Sequence, residues 1–276
     1  MADFRFKAAL RGVWVPLTLL ILWQLASTLK WVNPQVLPSP VQVVVRWWAY
    51  LTPADPYDPA TGSKLAWLFS GELVHDAIGS LTRVVSGFAI GAVLALPLGL
   101  AMGASSRVND WFNPLVQLIR PIPPIAFIPL SILWFGLGNP PAIFLIALGA
   151  FFPILMNTIA GVQHVDVIYL RAARNLGADR FTLFTRVIMP AATPYILSGA
   201  RIGMGTAFIV VIVAEMIAVN NGLGFRILEA REYFWSDKII AGMLSIGLIG
   251  LAIDLIMARI NNHLLRWHRG LERDRG

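Results

Sequence analysis

Six runs of apolar residues, at about 12–29, 84–104, 121–137, 141–161, 194–219 and 239–258, limit what this chain can fold into. A helix crosses a hydrocarbon core of about 30 Å with roughly 20 residues, so runs of this length read as membrane helices. Lipid offers no partner to a bare N–H or C=O, and a spanning segment has to satisfy its own backbone. The composition agrees, with 57% hydrophobic and 13% charged residues and a mean hydropathy of +0.68, outside the range of ordinary soluble domains. The expected fold class is an all-α membrane protein. Cysteine is absent, which removes disulfide frameworks, thiolate metal sites and cysteine nucleophiles. The basic start "MADFRFKAALRG" leads into the first run without a clean small-residue cleavage site after it, so that run reads as a retained first membrane helix.

Charge supplies the orientation. An even number of spans puts both termini on one side, and that side, with the loop 162–193, carries fifteen of the 22 lysines and arginines. The opposite side keeps Lys30, Arg46, Lys64, Arg83, Arg226, Arg231 and Lys238, mixed with acids. Lysine and arginine concentrate in cytoplasmic loops, so both termini and 162–193 are expected in the cytoplasm, with 30–76 and 220–238 outside. The net charge of +7 therefore reports topology rather than affinity for nucleic acid.

Between the first two spans lies a proline-rich connector with a short helix expected over 41–51, where Val41, Val44, Val45 and Trp48 share one face. That face suits either an amphipathic helix on the outer surface or a simple aromatic anchor. The second span places Gly87, Gly91, Ala95, Gly99 and Gly103 four residues apart, which lines one side with small residues and lets another helix approach closely. The fifth repeats the device with Gly199, Gly203 and Ala207. The third opens "RPIPPIAFIPLSILWFGLG", with Pro121, Pro123, Pro124 and Pro129. Proline removes a donor and bends a helix, and irregular backbone at membrane depth survives where protein or a water-filled cavity satisfies it. Pro123 and Pro124 are thus pathway candidates, the alternative being a bent structural helix. Pro153 marks a second kink in the fourth span.

One polar island, "DVIYLRAARNLGADRFTLFTRVIMP" (166–190), interrupts this pattern. Asp166 can cap a first helix, Gly177 can end it in the left-handed conformation, and Asp179 can cap a second helix expected to stop before Pro190. Ala172 and Ala173 leave room for a close partner. A DNA-reading helix-turn-helix using Arg174, Arg180 and Arg186 is set aside, because both ends are tied to the bilayer. A solvated loop and a docking element for a cytoplasmic subunit both remain.

The island resembles the coupling loop of permease subunits of ATP-binding-cassette (ABC) importers, whose pattern is Glu-Ala-Ala, three residues, Gly, nine residues, Ile, one residue, Leu-Pro. Ala172, Ala173, Gly177, Val187, Met189 and Pro190 occupy the matching places, while Arg171 stands where the pattern has Glu. "LPSPVQVV", "SLTRVVSGF", "RPIPPIAFIPLSILWFGLG", "AEMIA" and "GLGF" are similar to the nitrate, sulfonate, taurine and bicarbonate branch, in particular the taurine or alkanesulfonate type. The resemblance implies a six-helix type I importer permease fold with a cytoplasmic coupling-helix loop. It divides the chain into an N-terminal helix and extracytoplasmic connector (1–80), a core (81–261) holding the coupling loop, and a basic tail (262–276). It implies a multi-pass protein of the bacterial inner membrane that is the pathway for ATP-driven uptake of a small anion. The partners it implies are a second permease copy, two cytoplasmic ATP-binding subunits carrying ATP and Mg, an extracytoplasmic solute-binding protein and membrane lipid, with no nucleic acid. Contact with the ATPase would run through Arg171, Ala172, Ala173, Gly177, Ala178, Asp179 and Pro190. No G-x-x-x-x-G-K-[ST] loop occurs in the chain, so no cofactor is expected on it.

For the pathway, Glu215 in "VVIVAEMIAVNNGLGF" is the leading residue, since an acid at membrane depth is costly and by default functional. A carboxylate would repel the anions implied, so the expected role is to hold an outer gate by accepting hydrogen bonds from backbone near 220–224, with Asn220 in the same gate. The alternative is an acid in the headgroup region. Asn157 and Met204 are candidates for lining the lumen, Asp254 for an inter-helix polar contact, and Arg83 for an interface anchor at a helix end, the alternative being a group that draws anions toward the outer mouth. The other function classes are a membrane-embedded enzyme and an ion channel without an ATPase partner. The first needs a clustered base, metal ligands or an activated nucleophile, and the four histidines at 75, 164, 263 and 268 have no such spacing. The second needs a repeated polar filter or a charged ring, which the sequence does not display.

Overall fold

The computed structural model describes residues 2–53, 55–57, 63–64, 67 and 69–266, with side chains from residue 14 onward. The basic side chains of Arg5, Lys7 and Arg11 and the tail beyond residue 266 lie outside the described residues. The elements are helices α1 (Ala2–Thr28), α2 (Pro40–Leu51), α3 (Glu72–Ala104), α4 (Ser106–Ile119), a 3-10 turn (Pro124–Phe127), α5 (Ile128–Phe135), α6 (Asn139–Gln163), α7 (Val167–Asn175), α8 (Arg180–Leu183), a π turn (Phe184–Ile188), α9 (Met189–Ala218), α10 (Leu223–Glu232) and α11 (Ser236–Leu264). Among the described residues, α3, α6, the continuous run Arg180–Ala218 and α11 are long and apolar enough to cross a membrane. Ser106–Ile119 and Pro124–Phe135 meet the same criterion only together, as a pair bent by 83° that makes a broken span or a re-entrant loop, and Trp14–Thr28 is a shorter apolar helix.

Two expectations are corrected here. The third span is not a helix over 121–137. Pro121, Pro123 and Pro124 withdraw three backbone donors within four residues, so the chain turns sharply before resuming at Ile128. The second helix of the island does not stop at Pro190 either. The Met189 N–H donates to the Phe184 carbonyl, five residues back, and this π turn lets the helix continue with Pro190 in its first turn, where a missing N–H costs little.

The chain divides into two compact units, one of residues 79–224 and 248–276, the other of residues 1–78 and 225–247. In the first unit α6 is the centre, with Ala142, Leu145, Ile146, Ala150, Ile154 and Leu155 inaccessible. The glycine stripe of α3 lies against it: a Cβ on Gly87, Gly91, Gly99 or Gly103 would come within 3 Å of Ile146, the Ala147 carbonyl, Thr158 or Val162. Gly199 and Gly203 of α9 meet Asn157 and Ile154 in the same way, answered by Gly149 and Gly161 of α6 against Val210 and Tyr195. In lipid there is little hydrophobic gain from bringing helices together, so close backbone packing of this kind is what holds the unit. Arg201 Nε and Nη2 donate to Asp254 Oδ1 and Oδ2 at 2.8 and 2.7 Å, which ties α9 to α11.

In the second unit α2 starts with a capping box. Ser39 Oγ accepts from the Gln42 N–H at 3.2 Å, Gln42 Oε1 accepts from the Ser39 N–H at 2.8 Å, and Pro40 fills the first turn. Val41, Val44, Val45 and Trp48 are exposed, whereas Val43 and Tyr50 are buried. Trp47 Nε1 donates to Ser245 Oγ at 2.9 Å and Trp23 Nε1 to the Pro38 carbonyl at 3.0 Å.

Candidate functional site

The island folds as a helical hairpin built by its own caps. Asp166 accepts from the Ile168 N–H at 2.8 Å and starts α7. Gly177, at φ +81°, ends it: the Ala178 N–H donates to the Ala173 carbonyl and the Gly177 N–H to the Arg174 carbonyl, both at 3.0 Å. These paired bonds need a left-handed residue between them, which a side chain resists. Asp179 accepts from the Thr182 N–H at 3.0 Å to start α8, and hydrogen bonding with Thr182 holds its carboxyl below the usual range. Arg171, Ala172 and Gly177 are exposed while Ala173 and Ala178 are half-buried. Ile168, Leu176 and Phe181 stand out at 69, 88 and 74% exposure, an apolar surface on a hairpin that also exposes Arg171, Arg174 and Arg180. The second limb of the hairpin continues as one 39-residue helical run, Arg180–Ala218, part of which is apolar enough to cross a membrane.

At the far end of that run sits Glu215, wholly buried. Its Oε1 accepts from Arg83 Nη1 at 2.6 Å. Its Oε2 accepts from Ser80 Oγ at 2.8 Å and from the Gly224 N–H at 3.0 Å. Arg83, only 4% exposed, also donates through Nε to Asn139 Oδ1 at 2.7 Å and through its terminal nitrogens to the carbonyl and side-chain oxygens of Asn221. Ser80 Oγ in turn accepts from the Leu223 N–H at 3.0 Å. Gly222, at φ +109°, makes the closeness possible, since a Cβ there would fall 2.5 Å from the Glu215 carboxyl carbon. The loop after α9 is thus strapped to α3 by a buried ion pair that makes further hydrogen bonds to side chains and backbone. Buried charge is tolerable only when paired this completely. Arg83, expected as an interface anchor, is instead turned inward.

A cavity of about 370 Å³ lies beside α6. Pro123, Pro124, Asn157 and Thr206 contribute to its wall, and Arg120 joins them at the bend after α4. Met204, half-buried on α9, is not part of this wall. Asn220 lines a second space of about 270 Å³ with Leu137, Gly138 and Ala218, where the Gly138 N–H donates to the Ala218 carbonyl at 2.8 Å.

With this geometry in place, comparison with known proteins decides the family. Residues 87–270 match the model of the binding-protein-dependent transport system inner membrane component. The chain belongs to that family. The taurine transport system permease protein of Escherichia coli (strain K12) is 36% identical over 250 residues, covering 91% of this chain and 86% of its own. The nitrate import permease protein of Synechocystis sp. (strain PCC 6803) is 34% identical over 240 residues, covering 87% and 83%. Among solved structures, an inward facing conformation of the MetNI methionine ABC transporter superposes with a TM-score of 0.63 at 20% identity, over 74% of this chain and 99% of that one, a likeness of fold. The protein is an ABC importer permease, a multi-pass membrane subunit whose ATP hydrolysis belongs to separate chains.

Sequence reasoning about this permease reached Glu215 and the backbone of 220–224 but missed Ser80, Asn139 and Asn221, and misjudged Arg83. Ser80 and Arg83 lie three residues apart at the head of α3 and so share a helix face. That spacing, together with an acid at membrane depth elsewhere in the chain, was the available signal.

Proposed function

We propose that the permease forms, as a homodimer, the pathway for ATP-driven uptake of a small anion such as taurine, an alkanesulfonate, nitrate or bicarbonate. Two cytoplasmic ATP-binding subunits, holding ATP and Mg, drive it, and an extracytoplasmic solute-binding protein delivers the anion. Both termini and 162–193 face the cytoplasm, 1–80 supplies the first helix and outer connector, 81–261 the core and 262–276 a basic tail. Arg171, Ala172, Ala173, Gly177, Ala178, Asp179 and Pro190 dock the ATPase. Glu215 and Asn220 hold the outer gate, while Asn157, Met204, Pro123 and Pro124 belong to the pathway.

The observation that carries this reading is the exposed hairpin whose second limb runs unbroken to Glu215. Closure of a partner on the hairpin moves a continuous rod, and the rod ends at the carboxylate that straps the loop 219–224. Such a rod biases a two-state element at both of its ends. The anion class rests on the taurine and nitrate permeases among the relatives.

Ala173→Glu adds bulk and an unpaired charge at the docking surface, and Gly177→Val puts a β-branched side chain at positive φ. Both variants are expected to insert and fold, yet to lose co-purification of the ATP-binding subunits or substrate-stimulated ATP hydrolysis. Normal assembly and uptake in both would make the hairpin a solvated loop. Single-cysteine labelling tests the orientation, and modification of a cysteine at position 180 by an impermeant reagent outside intact cells would reverse it. Glu215→Gln is expected to lower uptake or change the basal ATPase rate without reordering anion preference. A new order of preference would make Glu215 a substrate contact.

A further inference from the structure

The cavity beside α6 has a polarity that the gate and the coupling hairpin do not explain. Its wall is apolar at Phe152, Met156 and Ile202, and among its lining residues there is no acid. One cation, Arg120, faces this space. Elsewhere in the same unit Arg83 and Arg201 each meet a carboxylate at 2.6 and 2.7 Å. Arg120, by contrast, has no ion pair or side-chain hydrogen bond to any other described residue. The chain bends by 83° just after it, and Pro121, Pro123 and Pro124 carry no N–H. The nearby backbone is therefore poor in donors, and the guanidinium is the cavity's one strong donor group. A guanidinium presents a planar fork of N–H groups matched to two oxygens of one oxyanion.

The neutral groups narrow the ligand further. Thr206 Oγ gives its proton to the Ile202 carbonyl at 3.0 Å, and Asn157 Nδ2 gives one of its protons to the Pro153 carbonyl at 2.8 Å. What these two side chains keep for a ligand is mainly acceptor capacity. A cationic fork, an apolar wall and neutral acceptors together suit an oxyanion with a short carbon tail that ends in an N–H or O–H donor.

Resting on the reading of the protein as an anion importer, we propose that Arg120 is the oxyanion anchor of a substrate subsite within the pathway. The fork holds the sulfonate-like head, Phe152 and Met156 cover the carbon tail, and Thr206 and Asn157 receive its terminal donor. The same fork would also take the phosphate of a lipid headgroup, so the shared chemistry is a phosphate- or sulfonate-type oxyanion and the test has to separate the two sources.

The experiment uses the intact permease–ATPase complex without solute-binding protein, in nanodiscs of phosphatidylcholine alone and with phosphatidylglycerol added. Isothermal titration with taurine, ethanesulfonate and nitrate is run on wild type, Arg120→Gln and Arg120→Lys. Expected is binding of taurine and ethanesulfonate in both lipids, weakened about tenfold or more in Arg120→Gln and less in Arg120→Lys, the scale of losing one charge-assisted contact. Taurine is expected to bind more tightly than nitrate. Equal binding by wild type and Arg120→Gln, or no binding by wild type, would overturn the subsite. Tightly held phosphatidylglycerol that is lost in Arg120→Gln, with no change in anion binding, would assign the fork to lipid instead. Uptake into proteoliposomes with the cognate binding protein is measured in parallel. Wild-type uptake of an anion with binding indifferent to Arg120 removes the subsite alone, whereas no uptake of any anion removes the anion-importer reading.

Discussion

The permease carries two charge networks of opposite design. Around Glu215, one arginine meets one carboxylate, both sequestered from solvent, and further bonds run to Ser80, Asn139, Asn221 and the Gly224 N–H. Around Arg226, a single guanidinium is shared among Glu72, Asp76 and Glu229 at 2.5 to 2.9 Å, and Glu72 and Glu229 are 43 and 29% exposed. Lys238 adds a contact to Glu72 at 3.2 Å and lies over the Tyr50 ring. Water can replace the contacts of Glu72 and Glu229 in the second network, though not that of the buried Asp76. In the first both side chains are buried, so a lost partner leaves a bare charge. Redundancy suits a scaffold, while a fully matched pair suits an element that must be either made or broken.

The difference is expected to be largest on truncating one partner. Arg83→Leu leaves Glu215 buried without its cation and should destabilise the permease by about 3–5 kcal/mol, read as a fall in the thermal unfolding midpoint in detergent. Arg83→Leu with Glu215→Gln should recover a good part of that loss. If the double variant were no more stable than Arg83→Leu alone, uncompensated charge would not be the cause. In the other network the test is Asp76→Asn, because Asp76 is the inaccessible member that accepts from Tyr50 at 2.7 Å and Arg226 at 2.9 Å. With Glu72 and Glu229 still on Arg226, the expected cost is about 1–3 kcal/mol. A loss as large as that of Arg83→Leu would mean that the sharing offers no protection.

These networks also mark where the sequence could be read and where it could not. Membrane helices were legible from composition, and the hairpin was legible because Asp166, Gly177 and Asp179 act on backbone within three residues of themselves. Arg83 was misjudged because its partner lies 132 positions away, and a helix-end arginine looks the same whether it snorkels or turns inward. The bend after α4 was foreseeable from its prolines, but not its angle, which depends on what packs against it. The passage of α9 through Pro190 escaped notice because a π turn leaves no composition of its own.

A pH titration separates the networks differently. Burial, and then the hydrogen bond to Asp76, push the Tyr50 phenol above its ordinary 10.0. The folded protein therefore favours the neutral phenol. Its contribution is complete below pH 10 and declines as the pH rises beyond it, until the phenol ionises in the folded state as well. Tyr50→Phe should cost about 1 kcal/mol at neutral pH, the scale of one hydrogen bond, and should flatten the alkaline decline in the unfolding midpoint. An unchanged alkaline slope would place the titrating group elsewhere.

The smallest effect belongs to the exposed margin of the second unit. Arg46 Nε meets Asp237 Oδ2 at 2.7 Å, about as short as the contacts in the other two networks, yet the two side chains are 50 and 25% exposed. Distance alone would rank this pair with Arg83–Glu215, whereas solvent access ranks it far below. Water and salt screen an exposed pair, and ordering two long side chains offsets part of the Coulomb gain, which leaves about 0.2–1 kcal/mol. Arg46→Gln should therefore lower the unfolding midpoint slightly at low ionic strength and not measurably in molar salt. The Arg83→Leu deficit, by contrast, should persist in molar salt because counterions do not reach Glu215. A salt-independent loss in Arg46→Gln as large as that of Asp76→Asn would show that the pair is shielded by something that covers it in the membrane, and burial in the isolated chain would then be the wrong measure for ranking the two networks.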